Sequence, residues 1–332
     1  MFASPALAQQ TPNTTVDEIV ITGIRASLER SIEIKRTNSG VVDAISAEDI
    51  GKFPDTNLAE SLQRITGVSI DRTNGEGSQV TVRGFGGGFN LVTLNGRTMP
   101  TANVATVGGD QSSDTAGGTS RSFDFSNLAS EGVTTLEVYK TGRAAIPSGG
   151  IGATINVKTR HPLDARESGL SGSIGVKGVY DTSMEKKVDD FGHKITPEVS
   201  GLLNWTDDDK KFGVALFGAY QKRDFTSRSV TSNDWNIRTY SDFLNPANGF
   251  VRNGGATQIT GAPASGSTLV AIPNDSRYHF SQGERERING QLTAQYRPTD
   301  SLTITADVLY AQNKSFERRN DSTNWFNRPF DK

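Results

Sequence analysis

The chain has 332 residues, with 35 Lys and Arg against 37 Asp and Glu, a formal net charge of -2, 35 glycines and no cysteine. So even a balance supplies no basic face for nucleic acid, and the lack of cysteine removes disulfide scaffolds, thiolate metal sites and thiol nucleophiles together. No apolar run approaches the ~20 residues of a membrane helix, which excludes helical spans but not a barrel, whose strands are short and alternating.

The length predicts two domains. At the amino terminus, Ala6-Leu7-Ala8 has the small-x-small form of the end of a secretory signal, so residues 1–15 are expected to be the end of an export signal and a flexible tail. Ile24, Leu28 and Ile32 then recur at helical spacing, and "VVDAIS" reads as a strand. Ser46 and Asp49 make a capping-box pattern for a short helix that Pro54 must end. Asp55 or Thr56 is expected to cap the next helix, which carries Leu58, Leu62 and Ile65 on one face and stops at Gly67. Short strands are expected at Val68 to Asp71, Val80 to Arg83, Leu91 to Leu94, Thr134 to Tyr139 and Thr154 to Lys158, with an Asn95-Gly96 turn after the third. Between Pro100 and Ser122 lies a long loop rich in Gly, Ser, Thr and Ala.

After Pro162 the pattern changes to period two. Leu170, Gly172, Ile174, Val176 and Tyr180 form one face, as do Val199, Gly201, Leu203 and Trp205, then Phe212, Val214, Leu216, Gly218 and Tyr220. Ile288, Gly290, Leu292, Ala294 and Tyr296 repeat the pattern, followed by Leu302, Ile304, Ala306, Val308 and Tyr310. Asp207 to Lys210 and Arg297 to Asp300 are tight turns, whereas Thr182 to Ile195 and Thr226 to Glu286 read as long polar excursions. Aromatic residues border both ends of the five strands. Apolar bands between aromatic girdles, with short turns on one side and long loops on the other, are the pattern of an outer-membrane barrel. Five such strands cannot close, since bacterial barrels have at least ~8, so further strands are expected beyond Lys332. A globular domain before them implies a plugged lumen.

Four ordered segments carry a resemblance: "VDEIVITG" (Val16 to Gly23), "AEDIGKFPDTNLAESLQRITGVSI" (Ala47 to Ile70), "VTVRGFGGGFNLVTLNGR" (Val80 to Arg97) and "LEVYKTGRAAIPSGGIGATINVKTR" (Leu136 to Arg160). They resemble the plug domain of TonB-dependent outer-membrane receptors, and the wording is most similar to a Caulobacter-type branch often linked to saccharide uptake. The resemblance implies an α+β plug over residues 24–162, preceded by a TonB box at 16–23. The start of a transmembrane antiparallel β-barrel follows over 163–332, incomplete in this chain. It implies an outer-membrane transporter, not an enzyme, with no cofactor. Its partners would be TonB with ExbB and ExbD, outer-membrane lipid, and an extracellular small ligand, an oligosaccharide first and an iron chelate second.

Residue by residue, the resemblance assigns TonB binding to Asp17, Glu18, Ile19, Val20, Ile21 and Thr22, as an extended segment added to a sheet edge. It assigns ligand-facing plug loops to Arg72–Gln79 and Pro100–Ser122, with Asn74, Glu76, Asn103, Asp110, Gln111 and Asp114 as the hydrogen-bonding groups. Arg83 and Lys140 match positions where the family places basic residues between plug and barrel. Other chemistry is not supported by the residues. "GFGGGF" lacks the glycine spacing and the following helix of a phosphate loop, His161, His193 and His279 lack metal-ligand spacing, and Asp207 to Asp209 are a polar turn. A β-sandwich binding module and an outer-membrane barrel enzyme remain the alternatives. The discriminating question is what the apolar face of each strand touches.

Overall fold

The computed structural model describes residues 16–46, 57–101, 121–147, 150–165, 167–184, 191–248 and 260–325. It opens with α1 (Val16–Thr37), which includes the segment expected to be extended. β1 (Val42–Ser46) follows. The helix docks through its hydroxyls: Ser27 Oγ donates to the Ser46 carbonyl at 2.5 Å and Ser46 N–H donates to Ser31 Oγ at 3.1 Å, with Lys35 paired to Asp43 at 2.6 Å. Leu28 and Ile32 are left exposed. The polar face wins because β1 is the edge of its sheet, and its free backbone groups need partners more than the helix needs burial.

The capping-box helix expected near Ser46 lies outside the described residues. α2 (Leu58–Leu62) begins one residue later than the capping pattern suggests, because Asn57 is its N-cap, with Oδ1 accepting from Ala59 N–H at 2.7 Å. β2 (Val68–Thr73) and β3 (Glu76–Val82) form a hairpin closed by Asn74-Gly75, both at positive φ, so the expected Arg72–Gln79 loop shrinks to a two-residue turn. β4 (Asn90–Leu94) turns through Asn95-Gly96 into β5 (Arg97–Thr98), and β6 (Val133–Tyr139) and β7 (Ala153–Thr159) complete the sheet in the order β1-β6-β7-β4-β5. Its core collects Leu58, Leu62, Val82, Phe125, Leu136, Val138, Ile155 and Val157.

A second sheet has the order β12-β11-β10-β9-β8 and is not closed: β8 (Gly169–Tyr180), β9 (Ile195–Thr206), β10 (Phe212–Thr239), β11 (Leu269–Thr299) and β12 (Leu302–Trp325). All neighbours are antiparallel. The expected excursion from Thr226 to Glu286 is corrected. β10 and β11 stay paired from Phe212↔Tyr296 to Thr239↔Leu269, and only the residues between them, with the short helix α3 (Tyr240–Leu244), leave the ladder. The polar alternation of "DFTSRSVTSNDW" reads as loop by composition but hydrogen-bonds as strand, because its apolar partner face is no longer needed once the strand leaves lipid depth.

Candidate functional site

The faces of the second sheet are inverted relative to a soluble domain. Side chains opposite one another share a face, so Leu203, Leu216, Leu292 and Val308 form one row, and Val199, Tyr220 and Ile288 another. Tyr220 is half-buried, and the others, with Leu170, Ile174, Trp205, Phe212, Tyr296 and Tyr310, are 40–84% exposed. The other face is polar and buried: Arg285, Arg287, Asn289, Gln291, Thr293 and Gln295 of β11 are all at most 9% exposed. This face abuts the first domain. Arg287 Nη1 donates to the carbonyls of Ser126 and Leu128 at 2.6 and 3.1 Å, Asn289 to that of Asn127 at 3.0 Å, and Gln291 to Thr159 Oγ1 at 2.6 Å. The linker is stapled as well, since Leu163 N–H donates to Gln295 Oε1 at 3.1 Å and Thr206 Oγ1 to the Pro162 carbonyl at 2.8 Å. An apolar band about nine residues tall on each strand, facing away from a polar joint, matches lipid contact, for which ~9–11 residues suffice. Trp205 against Phe212 at 6.0 Å, and Tyr296, mark its lower rim, and Tyr180, Tyr220 and Tyr310 its upper one.

Residues 34–154 match the family model described as TonB-dependent Receptor Plug Domain. This stretch is a TonB-dependent receptor plug domain. Among curated relatives, a protein named ferric enterobactin receptor PirA from Pseudomonas aeruginosa is 30% identical over 142 residues, covering 41% of this chain and 18% of the relative. The chain thus spans about a fifth of the length of that relative. Among solved structures, a siderophore receptor PirA from Acinetobacter baumannii aligns at 14% identity and TM-score 0.41, covering 88% of this chain and 46% of that one. A ferric citrate transporter FecA in the unliganded form aligns at 16% and 0.40, covering 90% and 50%. The identification rests on the plug match. The second sheet is called the wall from here, and its exposed apolar band has the height and aromatic rims expected of a lipid-facing barrel surface.

The strongest charges of the joint sit above that band. Glu76, at the start of β3 on the plug, pairs with Arg285 of β11 and with Arg223 of β10 at 3.3 Å, and Arg223 also holds Asp181 at 3.1 Å and the Asn74 carbonyl at 3.0 Å. Burial would raise the Glu76 carboxyl, but the charges of Arg285, Arg287 and Arg223 outweigh it and hold the pKa below its ordinary value. A second cluster lies beside it. Lys177 of β8 bridges plug Glu131 at 3.0 Å and wall Glu198 at 2.9 Å, while Gln221 donates to Glu198 at 2.8 Å. Burial, then the Glu198 carboxylate next to it, push the Glu131 pKa up despite Lys177. Asp124 is also raised by burial, only partly offset by its bonds to Ser126.

Of the residues assigned by resemblance, Glu76 and Asn74 are brought to one place, but facing the wall. Glu76 is a nearly buried clasp, because two guanidinium groups reach it across the joint. Arg83, at φ 54°, donates from its guanidinium to the Ile151 and Gly152 carbonyls of the plug at 3.2 and 2.6 Å. Lys140 likewise binds Asp43 and the Thr66 carbonyl, both at 2.6 Å, and with Lys35 it holds the Asp43 pKa below its ordinary value although burial opposes them. The joint with the described strands of the wall uses Arg223, Arg285 and Arg287. Only Arg285 lies in the stretch read as a polar excursion, Arg223 and Arg287 flank it, and the alternation of Arg285, Arg287 and Asn289 onto one face was the signal. Asn103, Asp110, Gln111 and Asp114 lie outside the described residues, and of Asp17 to Thr22 only the helical backbone is described.

Proposed function

We propose that the chain works in a TonB-dependent transporter that carries a small ligand across the outer membrane by energised release of its plug. The observation that carries this reading is the joint: a separately folded domain, with its own core, held against the polar face of a lipid-facing wall by side-chain bonds instead of by a shared apolar core. Such a contact can open without unfolding the wall. In this reading residues 16–23 are the TonB box, 24–162 the plug, and 163–332 belong to the barrel wall. TonB, driven by ExbB and ExbD, pairs with Asp17 to Thr22, which must leave the helical backbone of α1 to add as a strand. Asn74 and the Pro100–Ser122 loop, with Asn103, Asp110, Gln111 and Asp114, face the ligand side. A ferric chelate is the first ligand to test, since the curated relative is named for one; an oligosaccharide is the second.

The test is Ile19→Pro or Ile21→Pro in the full receptor. Proline removes a backbone donor and breaks the added strand, so uptake of labelled ligand should be lost while binding to whole cells is kept. Uptake at the normal rate in both variants refutes the box assignment.

A further inference from the structure

The joint is polar along nearly all of its described length, and a polar joint can be wetted. Asn289 Oδ1 and Arg287 Nε are buried without a protein partner, which leaves them to water. Phe225, beside Arg223, is an inward aromatic above the apolar band, and within the band one contact differs. Phe217, on the inward face of β10, is buried among Leu202, Ala219 and plug Ala129, in a cluster separate from the plug core. Its ring lies flat against the plug backbone at Gly132, so close that a Cβ there would stand 2.8 Å from Cδ1 and 2.9 Å from Cε1. The adjoining void measures only about 20 Å³, room for about one water. In register, Phe217 stands opposite Leu202 and Gln291, beside the Leu203–Leu216–Leu292 row at the middle of the lipid band.

We propose that Phe217 is the dry stop of the joint: the side chain that interrupts water and ion passage between the docked plug and this stretch of wall. Polar neighbours such as Gln291 and Asn289 hold the plug in register but offer hydrogen bonds to a water file. An aromatic ring pressed on a glycine offers none and leaves no room for a second water. Gly132 is required because any side chain would lift the plug from the ring. The inference rests on the transport reading, and its test is separable from it.

The full receptor, reconstituted in planar lipid bilayers without ligand or TonB, should be silent. Phe217→Ala and Phe217→Gln should each add a steady ion conductance, Phe217→Met should remain silent, and Leu216→Ala, on the outward face of the same strand, should remain silent too. Plug docking is followed in the same samples by thiol labelling of Ser126→Cys at the joint. Conductance with wild-type labelling supports the proposal. Silence of Phe217→Gln with the plug docked overturns it, as does a leak that comes only with faster labelling, which is plug loss. Failure of wild-type receptor to take up ligand in cells would instead sink the transport reading and leave the conductance result standing.

Discussion

Glu76→Ala should loosen the plug more than any other single truncation at the joint. The carboxylate is 12% exposed, and its partners Arg285 and Arg223 are 10% and 18% exposed. Removing one partner of a buried ion pair costs about 3–5 kcal/mol, mostly by leaving the other charge unpaired. Arg223 keeps Asp181, whereas Arg285 keeps only the neutral Gln221 Oε1 at 3.1 Å, so the lower end applies. A loss of about 3 kcal/mol is roughly a 100-fold shift in the docking equilibrium. Because these 332 residues contain no cysteine, Ser126→Cys places one thiol in this stretch, and its labelling rate in the reconstituted receptor, with any cysteine elsewhere in the full chain replaced by serine, measures joint opening. Its residue is buried and its carbonyl accepts from Arg287 when the plug is docked. Arg285→Ala should give a comparable shift, and the double variant much less than the sum, since the second truncation removes the charge that the first left unpaired. Additivity within about 0.5 kcal/mol would mean that the two side chains do not act together, and the clasp would be refuted.

Other expectations follow from the same geometry. The raised pKa of Glu131 means that the docked plug holds a proton more tightly than the free plug, so this contribution is full below the ordinary carboxyl value and is lost as pH rises through the raised one. Joint opening should therefore speed up as pH rises above the ordinary carboxyl range, and Glu131→Gln should flatten that profile; an unchanged profile counts against a docked Glu131 that holds its proton. Glu76 has the opposite sign: its lowered pKa adds docking stability above the ordinary value that disappears as pH falls through the lowered one, so acid below that point should release the clasp. Gly283→Val should disrupt the β10–β11 ladder, because a Cβ there would lie 2.2 Å from Phe225 Cζ, and folding yield of the receptor in membranes reads this directly. Asn57→Ala should cost about 1 kcal/mol of plug stability through loss of the α2 cap, seen as faster hydrogen exchange in α2 and β3.

Much of the architecture was legible from period and punctuation. The alternation of Ile288 to Tyr296 and of Leu302 to Tyr310 located both arms of a hairpin, and Asn95-Gly96 located a type of turn whose positive φ angles other residues resist. What alternation left open was the occupant of each face, since a sandwich core and lipid impose the same period. Burial of Asn289, Gln291, Thr293 and Gln295 with exposure of Ile288 and Leu292 resolves it. The upper halves of β10 and β11 were missed because strand recognition leaned on apolar residues, and above the lipid band neither face requires them. The site was less legible still. Glu76 was singled out beside the right turn, but its guanidinium partners, 147 and 209 residues away in sequence, were not. No local pattern encodes a pairing at that separation.

The inversion of the wall explains why the plug must be a domain in its own right. The described inward face, lined by Gln, Asn, Thr and Arg, offers little apolar surface to complete a partner's core beyond Phe225 and the few residues around Phe217. The plug consequently buries its own Leu58, Phe125, Leu136 and Ile155, and meets the wall through groups that lose little when water replaces the partner. A neutral bond exchanged for water changes stability by only about 0.5–1.5 kcal/mol, whereas stripping a charge of its partner costs several-fold more. The two kinds of contact divide the work accordingly. The neutral ladder of Asn289, Gln291 and Gln295 sets register and can be surrendered piecemeal, and the charged clusters at Glu76 and Glu131 set how hard the joint must be pulled, or how it must be neutralised, before it opens.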